Sequence, residues 1–205
     1  MPNLLAVVGS PRKGKSTDQL VDKTIEGVVA ECSDCEVRKI NLIDHDIQHC
    51  RNCLACHNTD SAEPYAKCVI PDDMVWIYEE VAKSDLLIFG TPVHMGYATA
   101  LMMGFLERIC WTFAKPEKNY LNIRGCPMPR SDRKRSAVTI VTSGIIPPIY
   151  RPFCDDATRQ IKGVIKDSLN AKLVGDMYAG DIEHRGAERY HSKAYDLGKT
   201  LANAV

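Results

Sequence analysis

Residues 9–17 read Gly-Ser-Pro-Arg-Lys-Gly-Lys-Ser-Thr, directly after the apolar run Leu4–Val8. A continuous apolar run closed by Gly-Ser-Pro predicts a strand buried on both faces. From Ser16 to Ala30, Leu20, Val21, Ile25, Val28 and Val29 recur at helical spacing. The stretch is therefore a strand-to-helix turn, where unpaired backbone N–H groups and the helix dipole attract an anion. Ser10, Ser16 and Thr17 add hydroxyl donors, and Arg12 and Lys15 add charge. Which anion binds is open at this point. The letters satisfy G-x-x-x-x-G-K-[ST], the phosphate loop of nucleotide triphosphatases. A single phosphate ester would fit the same turn without magnesium.

Outward from this turn, apolar runs alternate with helical patterns. Cys35–Leu42, Leu86–Phe89, Ala137–Thr142 and Lys172–Tyr178 read as strands. Helices are expected from an Asp72-Asp73 cap to Lys83, and over Tyr97–Ala114, Phe153–Leu169 and Ala187–Ala204. Five alternations predict an α/β fold, a parallel sheet with helices on both faces, in a single domain spanning 1–205. Ligands bind such sheets beyond the carboxyl ends of the strands, so the loops after strands one, three and four are the places to examine. Two connections are longer than usual: the cysteine-rich excursion 44–71 and the segment 115–135, read as a basic loop.

The chain carries 26 basic and 26 acidic residues, a balance that argues against a general nucleic-acid or membrane-surface binder. No apolar run approaches the ~18–20 residues of a membrane span. The opening Met1-Pro-Asn-Leu-Leu has no basic n-region and reads as a strand rather than a signal peptide, so a cytoplasmic protein is expected.

A nucleotide triphosphatase also needs a carboxylate at another strand end to hold magnesium. Asp44 and Asp176 are the nearest by sequence, and the other strand ends read Gly90-Thr91 and Thr142-Ser143. Gly9–Thr17 resembles instead the GSPR-x-x-x-N-[ST] loop of flavodoxin-like NAD(P)H-dependent FMN reductases and iron-sulfur flavoproteins, with Ser16 where Asn is usual. Thr91-Pro92-Val93-His94-Met95-Gly96 is similar to that family's S-P-V-Y-x-G loop. Met102–Arg108 resembles its M-K-x-F-x-D-R, Asp72-Asp73-Met74 also fits, and Thr142-Ser143-Gly144 resembles a third flavin loop. The resemblance implies a three-layer flavodoxin-like fold with a five-stranded parallel sheet of order 2-1-3-4-5. It implies FMN held by Ser10, Arg12, Lys15, Ser16 and Thr17 at the phosphate, and by Pro92, Val93, His94, Met95, Gly96, Thr142, Ser143 and Gly144 around the ring. NAD(P)H would be the donor, and a small molecule such as a quinone, or a ferredoxin-like protein, the other partner. No acid–base side chain is required, so no catalytic residue is assigned. The Met95 side chain packs either on the ring or on the protein, and the second is the reading preferred from sequence. Relatives form dimers or tetramers, and the apolar helix with Trp111 and Phe113 is a possible interface.

Nine cysteines are many for a reducing compartment. Cys50, Cys53 and Cys56 form C-x-x-C-x-x-C, the spacing that wraps a [4Fe–4S] cluster, and Cys68 follows after eleven residues. The motif resembles the compact cysteine motif of iron-sulfur flavoproteins, whose last gap is shorter. Three readings stay open: a [4Fe–4S] cluster on these four cysteines, thiols without metal, or zinc. His49 and His57 flank the motif as substitute ligands. Cys32 and Cys35 are read as incidental, and Cys110, Cys126 and Cys154 as small hydrophobes.

Overall fold

Strand β1, Asn3–Val8, lies between two other strands and buries both of its faces. Leu5 and Val7 point into one core, and Leu4, Ala6 and Val8 into the other. That is why its sequence is continuously apolar rather than alternating. The computed structural model describes residues 1–59 and 63–204. Residues 60–62, within the Cys56–Cys68 gap, and residue 205, at the end of the expected domain, lie outside the described residues.

After β1 come α1 (Ser16–Glu31), β2 (Glu36–Asn41), α2 (Met74–Lys83), β3 (Leu86–His94), β4 (Tyr97–Ala98) and α3 (Ala100–Phe113). The hairpin β5 (Ala114–Tyr120) and β6 (Ile123–Pro129) leads to β7 (Arg135–Thr142). The chain closes with α4 (Arg151–Cys154), α5 (Asp156–Leu169), β8 (Ala171–Ala179), α6 (Ile182–Arg185) and α7 (His191–Ala202). The parallel strands run in the order β2-β1-β3-β7-β8, which is 2-1-3-4-5 when these five alone are counted. The short β4 pairs antiparallel with the end of β3 as a sixth strand.

Helices cover both faces. One core packs Met74, Ile77 and Val81 of α2, Phe105 and Ile109 of α3 and Ile161 and Ile165 of α5 against β1 and β3. The other packs Leu20, Val21 and Val28 of α1 and Ala194, Leu197 and Leu201 of α7 on the opposite face. Each of these side chains larger than alanine contributes roughly 1.5–3 kcal/mol by leaving water. Helices α1 and α7 touch backbone to backbone: a Cβ on Gly27 would sit 2.0 Å from the Tyr195 carbonyl oxygen. Among the described residues no helix is long and apolar enough to cross a membrane.

Several boundaries differ from the sequence expectation. Helix α3 starts at Ala100 rather than Tyr97, because Tyr97-Ala98 pairs with β3 and the Thr99 hydroxyl caps the helix by accepting from the Met102 N–H. The segment 115–135 is not a basic loop but mostly the β5–β6 hairpin. The expected helix Phe153–Leu169 is divided at Asp155, whose carboxylate accepts the Thr158 amide and starts α5 afresh. At α2 it is Asp72, not Asp73, whose carboxylate accepts the Met74 N–H, while Asp73 accepts the Asp46 N–H across the excursion. Within the chain, the apolar face of α3 packs on the interior: Phe113 is buried, and Trp111 packs on His57 with ring centroids 4.2 Å apart.

Candidate functional site

The crossovers leave a crevice at the carboxyl ends of β1, β3 and β7, where the strand order reverses. Ser10, Arg12, Lys15, Ser16 and Thr17 line one end, with Pro92, Val93 and His94 from β3 and Thr142, Ser143 and Gly144 after β7. This end encloses about 350 Å³. A second hollow of about 430 Å³ shares Val93, Ser143, Gly144 and Glu183 with it and continues past Met95 and Gly96 to Ile145, Ile146, Phe153 and Cys154. All thirteen residues expected at the cofactor thus border one groove with a polar end and an apolar end.

The polar end has the donors an anion needs. No side chain caps the start of α1, so its first amides have no such partner. Asp18 occupies Lys39 at 2.6 Å and Asp44 occupies Lys13 at 2.6 Å. Among the described residues Arg12 and Lys15 have no carboxylate partner, and both are exposed at the mouth. Two amides of the loop itself are already engaged: Arg12 N–H donates to Ser10 Oγ at 3.2 Å and Gly14 N–H to Asp18 Oδ2 at 2.6 Å. Thr17 Oγ1 is tied to Thr142 Oγ1 at 2.7 Å, which joins the first and fourth strand ends. The loop therefore offers one anion position at the α1 terminus, not a cradle wrapped around a chain of phosphates. Asp44 is paired with Lys13 and Asp176 with Arg151, so neither stands ready for the magnesium that a triphosphate would bring.

The apolar end is shaped by two loops. Met95 and Gly96 both have positive φ, +54° and +89°, and turn β3 back into β4. Met95 is 98% exposed and does not pack on the protein as expected. The loop after β7 is stapled by Arg151, whose Nε donates to Asp155 Oδ2 at 2.8 Å and whose guanidinium also pairs with Asp176. Tyr178 beneath it donates to the Ile146 carbonyl, and burial raises its phenol pKa. Gly144 lies bare against the Glu183 carboxylate: a Cβ there would meet Oε1 at 2.4 Å. Ile182 and Glu183, missed in the sequence, open α6 just after the fifth parallel strand, where Ile182 N–H and Glu183 N–H donate to the carbonyls of Ser143 and Gly144. Gly180-Asp181, a turn pair directly after the apolar strand end, is the signal that marks this loop.

A single monoester phosphate with an attached flat heterocycle matches these contents. The phosphate would meet the α1 amides, Arg12, Lys15 and the Ser and Thr hydroxyls, and the ring would meet the backbone of residues 92–96 and 142–144. The residues present therefore fit FMN.

The cysteine excursion forms a separate pocket. Cys50, Cys53, Cys56 and Cys68 line it together with Leu54, Val69, Ile70, Trp111 and Arg108. Cys50 and Cys53 are exposed, and all four are free thiols. Burial and the neighbouring Cys50 push the Cys56 thiol up. Asn52 and Leu54 adopt left-handed φ of +48° and +59°, and Asn52 N–H donates to Cys50 Sγ at 3.4 Å. Arg130 holds the loop by donating to the carbonyls of Cys56 and Thr59. The eleven-residue gap thus does bring Cys68 back to the motif. Among the described residues, however, no three His, Cys, Asp or Glu side chains converge closely enough to hold a metal ion, so the expected metal set is not assembled as such. The pocket encloses about 30 Å³, space for a water or two rather than a cube of four irons and four sulfides. The donor chemistry fits an iron-sulfur cluster, and the closed conformation does not. His57 lines the same pocket with Nε2 buried and unpartnered, while His49 lies beside Gly104.

Comparison with known proteins agrees with this geometry. The family model described as NADPH-dependent FMN reductase matches residues 2–124. An iron-sulfur flavoprotein of Methanosarcina thermophila is 30% identical over 105 residues, 51% of this chain and 51% of that protein. One from Clostridioides difficile is 26% identical over 106 residues, 51% of this chain and 44% of that protein. These matches span about half the length of the curated relatives. An NAD(P)H:quinone oxidoreductase from Methanothermobacter marburgensis superposes with a TM-score of 0.70 at 14% identity, over 98% of each chain. A Bacillus anthracis FMN-dependent NADH-azoreductase in complex with FMN gives 0.66 at 11% identity, again over 98% of each. The structural likenesses speak for the flavodoxin-like fold, and the sequence match decides membership: the chain belongs to the NADPH-dependent FMN reductase family.

Proposed function

We propose that the protein binds FMN in the groove and uses it as an NAD(P)H-dependent oxidoreductase toward a small acceptor of the quinone type. The observation that carries this reading is the joining of one uncommitted anion position, at the α1 terminus, to an apolar hollow walled by backbone. Arg12 and Lys15 neutralise the phosphate, and Ser10, Ser16 and Thr17 orient it through charge-assisted hydrogen bonds. The backbone of residues 92–96 and 142–144 aligns the ring, and Ile145, Ile146 and Phe153 keep water from one side of it. When bound, FMN supplies the redox chemistry, accepting hydride and passing electrons on singly or in pairs. The protein contributes orientation and a fixed electrostatic surrounding, so no side chain has to act as acid or base. The test is to purify the protein, denature it and assay released FMN, then follow flavin bleaching by NADPH and NADH without oxygen. A colourless protein that takes up no FMN would end this reading.

A second element is favoured by a specific observation, the return of Cys68 to the pocket of Cys50, Cys53 and Cys56. These four cysteines are the residues that would hold a [4Fe–4S] cluster, and the names of the sequence relatives support the same element. The cluster would let single electrons pass to or from a ferredoxin-like partner. Oligomerisation as a homodimer or homotetramer belongs to the same reading. Iron and acid-labile sulfide, quantified per chain after anaerobic purification, test it.

A further inference from the structure

We propose that Glu183 sets the redox balance of the groove: its carboxylate stands where the polar and apolar ends join and disfavours negative charge arriving on a bound ring. The inference rests on the flavin element of the reading above and not on the cysteine pocket.

Val93, Ser143, Gly144 and Glu183 line both hollows, and Glu183 alone among them has an ionisable side chain. Among the described residues lining either hollow it is the one carboxylate. The backbone keeps it there. Ile182 N–H donates to the Ser143 carbonyl at 3.2 Å and Glu183 N–H to the Gly144 carbonyl at 2.9 Å, which stitches the start of α6 to the loop after β7. Gly144, lacking a Cβ, leaves the room that the carboxylate occupies. The neighbouring cations are engaged elsewhere. Asp181, turned into a left-handed φ of +57°, takes His184 Nδ1 and Arg185 Nε at 2.6 Å each. Glu183 itself makes no ion pair among the described residues, and it is exposed to the groove.

The cations Arg12 and Lys15 line the polar end only, where a bound phosphate neutralises them. The lining of the apolar hollow holds no cation, so Glu183 is its one formally charged side chain. Hydride transfer from NAD(P)H leaves NAD(P)+ and adds one unit of negative charge to the ring until a proton follows from water. A carboxylate beside the apolar wall of Ile145, Ile146 and Phe153 opposes that charge. The oxidised ring has no such charge to oppose. The groove therefore holds the oxidised form more tightly than the reduced one, and the bound flavin becomes the stronger reductant toward its acceptor.

The test is spectroelectrochemical titration of the FMN-bound protein at mildly alkaline pH, where a second proton does not neutralise the added charge. Wild type, Glu183→Gln, Glu183→Asp and Glu188→Gln are compared by midpoint potential, affinity for oxidised FMN and thermal unfolding. Glutamine keeps the side-chain size and the backbone bonds of α6. Glu188→Gln removes a carboxylate that lies against Gly186 and lines neither hollow. Glu183→Gln should raise the potential by about 30 mV, a tenfold gain in reduced over oxidised binding for a two-electron couple. Glu183→Asp, which draws the charge back by a methylene, should give a smaller rise and keeps the test in hand if the glutamine variant loses FMN. Glu188→Gln should match wild type. An unchanged or lower potential in Glu183→Gln would overturn the proposal, as would an equal rise in Glu188→Gln, which would make the effect one of net charge. Either result leaves the flavin reading in place. Wild type that takes up no FMN would end that reading and this proposal with it.

Discussion

At the carboxyl edge of the sheet, Arg12 and Lys15 stand exposed with no carboxylate partner among the described residues, whereas on the flank of α3 Arg108 is buried and locked to Asp72. The first pair waits for an anion from outside, and the second already has one from within. The two regions show how a chain of zero formal net charge assigns its cations. A cation meant for a ligand is left solvated and cheap to recruit. A cation meant to hold a loop is desolvated, and the bonds its two terminal nitrogens make to Asp72, Gln48 and Cys68 offset that cost, with Nε left unpartnered among the described residues. The groove is open at its mouth, while the cysteine pocket encloses only about 30 Å³.

Removing Asp72 should break the contrast most severely. Asp72→Ala leaves the Arg108 charge buried and unpaired, which costs about 3–5 kcal/mol of stability, measurable by denaturant unfolding. Arg12→Ala should leave unfolding unchanged and weaken FMN binding by about 1.5–3 kcal/mol, measurable by flavin fluorescence titration. If unfolding shifts in Arg12→Ala, that arginine belongs to the structure and the contrast fails. Acid should separate the regions further. Burial raises the Asp72 carboxyl, but the hydrogen bonds from Arg108 and Gln48 outweigh it and the net shift is downward. Its contribution is therefore present above the unfolded value near ~3.9 and lost as pH falls through the lower folded value. Below about pH 4 the wild type should lose stability more steeply than Asp72→Asn, followed by circular dichroism. The smallest effect is expected at Lys13. Its exposed pair with Asp44 is worth about 0–1 kcal/mol, so Lys13→Ala should barely alter stability. By freeing Asp44 near the loop, it should lower FMN affinity less than Arg12→Ala does.

The sheet was legible because burial on both faces writes itself into the chain as apolar runs such as Leu4–Val8 and Leu86–Phe89. The groove was legible because three loops at strand ends carry polar and glycine-containing motifs. Elements that depend on pairing at a distance were not. Tyr97-Ala98 looks helical until β3 overshoots its apolar run and supplies a partner. The residues 115–135 look like a charged loop because the hairpin β5–β6 stands off the main sheet and buries little, so its strands carry no apolar alternation. Glu183 escaped notice because it lies after the edge strand, away from the point where strand order reverses. The pairing of Arg108 with Asp72 escaped too: both residues lie in motifs that resemble the family's, but a contact across 36 residues leaves no local pattern in the sequence.

The central claim is that the groove takes one phosphate ester carrying a flat ring. The most direct measurement is titration of the flavin-free protein with FMN, with magnesium-ATP as competitor, read by flavin fluorescence. The account predicts saturable FMN uptake that Arg12→Ala weakens and that magnesium-ATP does not displace. Uptake of magnesium-ATP with no flavin bound would contradict it.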